Sequence, residues 1–172
     1  MRARKELRGE MLMSREIKFR GIAIEGEDKG KFVYGSYVYD DVREKHIICS
    51  FDTEVEGCEP YNSYGTLVPV DIVIRVNKDT IGQYTGLEDK NGRKIYEGDI
   101  VSSYVQTGKE SSRSIIVWED EESSSGWNIK VIKDFYPPNQ EGCIISISRN
   151  DVMDYEVIGN IYENPELLNI NK

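Results

Sequence analysis

The chain has one histidine and three cysteines in 172 residues, and no long apolar run. Each shortage excludes something. The single histidine, His46, would have to serve any histidine-dependent triad, and no Gly-x-Ser-x-Gly nucleophile elbow occurs. Cys49, Cys58 and Cys143 lack the pairing at about two to four residues that zinc sites use. His46 and Cys49 are an odd number of positions apart, so on one strand they face opposite sides. An odd number of cysteines without an export signal reads as reduced thiols. Neither a phosphate-binding loop nor a dinucleotide fingerprint is present. No segment approaches the roughly 20 apolar residues needed to cross a bilayer. The opening MRARKELRGEML lacks the apolar stretch of a secretory signal. A cytoplasmic location and no membrane partner are the expectation.

Basic charge is also short. Lysine and arginine total 22 against 31 acidic residues, a formal net charge of −9. That argues against nonspecific duplex binding, which draws on phosphate neutralisation. The many carboxylates do not resolve into a catalytic pair, so no catalytic, cofactor-binding or metal-ligating residue is assigned. Asp99 is the most constrained acid, and its expected role is to bond local backbone in a turn. The acidic run from Glu119 to Glu122 reads as a solvated loop, with a contact for a basic partner as the alternative.

What is abundant points to β structure. Eleven tyrosines and short Val/Ile-rich runs predict a mainly β fold, with a β-rich α+β arrangement as the alternative. The length suits one domain or two small ones. Residues 1–12 read as an extension outside the fold. An N-terminal β-rich subdomain is expected over 13–80, with strands near 17–24, 31–39, 46–51, 66–70 and 72–76. Gly35 is a candidate bulge or close approach. A central hairpin and a C-terminal barrel are expected over 81–172. Strands near 100–105, 114–119, 126–132, 143–147 and 155–162 predict a small closed sheet of SH3-like type, with polar loops over 107–113 and 119–125. Asn164-Pro165 predicts a short terminal helix, with Asn164 as its cap. The tyrosines and Trp118 and Trp127 read mainly as packing, and some could line a groove.

The densest local signal is Ile81–Val101, reading IGQYTGLEDKNGRKIYEGDIV. Asp89-Lys90-Asn91-Gly92 is turn chemistry. A two-residue Asn91-Gly92 turn would set Glu88 opposite Ile95. A three-residue loop with Gly92 left-handed sets Leu87 opposite Ile95 and Glu88 opposite Lys94. The second register matches apolar with apolar and acid with base, and it is preferred.

These segments resemble the YopX family of phage and prophage proteins. The resemblance rests on Ile17-Lys18-Phe19-Arg20-Gly21, Val33-Tyr34-Gly35, the stretch just described, and Glu156-Val157-Ile158-Gly159-Asn160 through Leu168. Phe32 stands where the family pattern often carries tryptophan. The resemblance implies a β-rich protein of a bacterial host cell and carries over no functional residue. The expected role is a non-enzymatic phage or prophage accessory protein that binds a host or phage protein or assembles with itself. A nucleic-acid-associated module using the C-terminal barrel is the alternative.

Overall fold

Alternation of apolar and polar residues, broken by Gly/Asn/Asp turns, produces eleven strands among the described residues. The computed structural model describes residues 16–49, 73–121, 124–136, 140–147 and 154–169. In chain order the strands are β1 (Phe19–Ile22), β2 (Phe32–Asp40), β3 (Lys45–Cys49), β4 (Val73–Arg75), β5 (Gly82–Glu88) and β6 (Lys94–Tyr96). Then come β7 (Asp99–Tyr104), β8 (Glu110–Glu121), β9 (Ser124–Asp134), β10 (Ile144–Ser146) and β11 (Tyr155–Asn160). Short 3-10 turns lie at Lys78–Thr80 and Pro165–Leu168. The expected extension over 1–12, the strand near 66–70 and Cys58 fall outside the described residues.

Two antiparallel sheets result. The first has the order β4-β3-β2-β1-β5-β6 and the second β10-β9-β8-β7-β11. The first wraps around Ala23, Val33, Ile48 and Val76. A single bridge, Ala23 to Val76, brings the end of β4 back against the end of β1. Thr80 secures that return, because its Oγ1 accepts from the Ile22 amide at 2.9 Å.

The second sheet buries Val101, Ile116, Ile129 and Val157, and Ile95 from the hairpin belongs to the same cluster, with Leu87 packed against it. The hairpin strands therefore extend the first sheet while their apolar side chains fill the core of the second. Its register is the three-residue loop: Glu88 pairs with Lys94, the Asp89 amide donates to Arg93 O at 2.9 Å, and Gly92 has φ +80°. A register shift follows between Tyr84 and Glu88. There Thr85 Oγ1 donates to Ile95 O and accepts from the Leu87 amide, standing in for ladder bonds that the shift removes. Gly35 is no bulge, since it pairs with Phe19 in an unbroken ladder.

The expected SH3-like barrel does not form. All five of its predicted strands exist, but β10 and β11 are the two edges of an open sheet and do not pair with each other. The outer edge of β11 is taken by the hairpin tip. Lys90 N donates to Tyr155 O at 2.9 Å, Val157 N donates to Asp89 Oδ2 at 3.0 Å, and Arg93 Nη1 donates to Val157 O at 3.3 Å. A covered edge cannot accept another strand.

Two polar segments expected as loops are largely strand. β8 runs from Glu110 and β9 continues to Asp134, with Ser112 paired to Asp134 and Glu121 to Ser124. Once Ile116 opposite Ile129 fixes the register, the ladder continues outward through serines and acids. The expected terminal helix is only a four-residue 3-10 turn, and Asn164 makes no side-chain cap. Its Oδ1 instead accepts from the Asn160 amide at 3.3 Å.

Candidate functional site

The family-like motifs converge on the junction between the sheets. Arg20 Nη1 lies 2.6 Å from Asp99 Oδ1, with both side chains buried. Arg20 also donates through Nη2 to Glu97 O at 3.0 Å, and its guanidinium lies over the rings of Phe32 (4.6 Å) and Tyr96 (5.1 Å). Asp99 Oδ2 accepts from the Tyr96 amide at 2.8 Å, which is the turn role expected for it. The Arg20 partnership is the addition, and no local sequence signal carries it. Burial pushes the Asp99 carboxyl up, while Arg20 and the Tyr96 amide pull it down. Burial also raises Glu97 and Tyr162.

The glycines here answer to space. A Cβ on Gly82 would meet Glu97 O at 2.6 Å, and one on Gly159 would meet Asn164 Oδ1 at 2.5 Å. Asn160 closes the following turn by accepting from the amides of Tyr162 and Glu163. Arg20, Asp89, Asp99 and Asn160 are all buried and occupied in holding backbone or one another. They make a joint between the sheets.

An open surface exists elsewhere, where the second sheet fails to close. A groove of about 390 Å³ is lined by Ile129, Ile145 and Ile147 together with Ser103, Tyr104, Ser111, Ser146, Asp154 and Tyr155. Alternation along β7 places Ser103 on the same face as the core residue Val101, so the groove continues the core outward. Ile145 on β10 is 37% exposed and Ile144 is 47% exposed.

Two of the groove's serines, Ser103 and Ser111, are engaged with each other. Ser103 Oγ is 2.7 Å from the hydroxyls of both Ser111 and Ser112. Nearby, Ser102 Oγ donates to Glu110 Oε1 at 2.7 Å, and Arg113 grips that carboxylate through Nε and Nη2. A carboxylate neutralised by a guanidinium is a poor general base. His46 is far along the chain's first sheet on β3, where its Nδ1 is 2.8 Å from the Tyr37 hydroxyl. Cys49 lies three residues further along β3, and Cys143 precedes β10 in the second sheet. Among the described residues, no group of three or more His, Cys, Asp or Glu is placed to hold a metal ion. No helix among them is long and apolar enough to cross a membrane.

Comparison with known proteins gives a family and little more. A family model described as "YopX protein" matches residues 18–169. No curated protein matches. Among solved structures, a crystal structure of protein EF1440 from Enterococcus faecalis is similar at 22% identity and a TM-score of 0.42. The match covers 91% of this chain and 100% of that one.

Proposed function

Since this chain belongs to the YopX family, we propose that it is a non-enzymatic phage or prophage accessory protein of the bacterial cytoplasm that binds another protein. The observation that carries the reading is the groove at the unclosed side of the second sheet, bordered by the exposed strand β10. Apolar floor beside hydroxyls is the usual composition of a recognition surface. The buried polar residues of the family's motifs, Arg20, Asp89, Asp99 and Asn160, are engaged in holding the sheet junction. A second copy of the chain is one possible occupant, and a host or phage protein is the other.

The nucleic-acid alternative has less behind it. Eight cations among the described residues are each ion-paired with a carboxylate, and the groove's lining contains an aspartate and no lysine or arginine.

Photo-crosslinking tests the proposal. A benzoyl-phenylalanine placed at Ile145 in the full chain, expressed in a bacterial host, should give a discrete protein adduct. The same probe at Val42, which is 85% exposed on the β2–β3 turn, should not. Adducts of equal yield at both positions, or none at Ile145, would overturn the reading. Adduct mass separates self-association from capture of another protein.

A further inference from the structure

We infer that the groove takes an extended segment of a partner protein presenting a basic side chain between two apolar ones. This rests on the protein-binding reading above and adds the chemistry of the partner.

The apolar requirement comes from Ile129, Ile145 and Ile147, which line a space of about 390 Å³. That volume accommodates two branched side chains. The extended form follows from the frame, because strands border the groove and an extended chain directs residues i and i+2 to one side. Two apolar residues at that spacing face the isoleucines, and the residue between them points the opposite way.

The basic requirement comes from charge. Asp154 is the one ionisable carboxyl in the lining and is solvent-exposed. None of the eight ion pairs among the described residues includes it. Lys90, beside the lining residue Tyr104, lies over its ring at 4.1 Å and is paired with Glu156 at 2.7 Å. Among the described residues Asp154 therefore has no ion-pair partner and offers its carboxylate to a cationic side chain, and the chain's net charge of −9 favours approach of a cationic segment.

Two acetylated, amidated tripeptides differing only in charge, Ile-Lys-Ile and Ile-Glu-Ile, test the inference by titration into the 15N-labelled full chain. The lysine peptide should shift the amides of Ile145, Ser146 and Asp154, and the glutamate peptide should bind several-fold more weakly. Asp154→Asn should weaken the lysine peptide by about two- to fivefold, the range for an exposed ion pair, and leave the glutamate peptide no weaker. Ile145→Ser, at a position exposed enough to spare the fold, should weaken both. Unmoved first-sheet resonances would show that each variant is folded. Equal binding of the two peptides at these amides would overturn the charge preference and leave the protein-binding reading standing. No shift from either peptide would overturn the inference itself, and the crosslinking yield at Ile145 would then judge the broader reading separately.

Discussion

Tyr96 carries a pH dependence that its burial dictates. Burial, with the neighbouring Tyr34 phenol, pushes its phenol from 10.0 up to about 12. A raised folded value means the stabilising contribution is complete below about pH 10 and is lost as pH rises toward about 12. Allowing for solvent screening, it amounts to about 1–2 kcal/mol. Guanidinium midpoints measured across that window should fall for the wild type, and Tyr96→Phe should flatten the fall. Two glycines separate conformational strain from crowding. Gly92 has φ +80° and open space around its missing Cβ, so Gly92→Val should cost about 1–2 kcal/mol through backbone strain, and Gly92→Asn clearly less. Gly82 has no positive φ, yet a Cβ there would strike Glu97 O, so Gly82→Ala should cost about 1–3 kcal/mol. Calorimetry on the three variants checks both values. The role of Gly92 was legible from Asp-Lys-Asn-Gly alone. That of Gly82 was not, because the atom it must avoid belongs to another part of the chain.

The hairpin of β5 and β6 is where local sequence and tertiary contact meet. Its loop length followed from matching Glu88 with Lys94, since a one-residue slip would reverse every side chain. Its second task did not follow. Asp89 Oδ1 accepts from the amides of Asn91 and Arg93, while Oδ2 reaches across to Val157 of β11. Asp89→Ala should thus destabilise by about 3 kcal/mol, with Asp89→Asn costing less, as read from denaturant midpoints. The barrel expectation failed at this element, because strand count does not show that the hairpin tip already covers the β11 edge. The lengths of β8 and β9 were hidden for a different reason. Serines and acids at a strand's solvated end have no alternation against a core to betray them.

At the scale of the whole molecule, the two sheets are joined by the hairpin's side chains in the second core and by the buried Arg20–Asp99 pair. The strand pattern around Arg20 was readable, but its partner was not, since the two lie far apart in the chain and meet only when the sheets pack. Removing one member of a buried pair strands the other, so Arg20→Met should cost about 3–5 kcal/mol, and adding Asp99→Asn should recover part of that loss. The groove was less legible still, because it exists only where a sheet curls and stops short of closing. The motif residues Arg20, Asp89 and Asp99 are thus architectural: they hold the two sheets together as one cooperative body. Equilibrium unfolding with two probes tests this most directly. The chain's only tryptophans, Trp118 and Trp127, both report the second sheet, and NMR signals of β1–β3 report the first. The wild type should give coincident transitions, shifted equally downward by Arg20→Met. Separate midpoints for the two probes in the wild type would contradict the account.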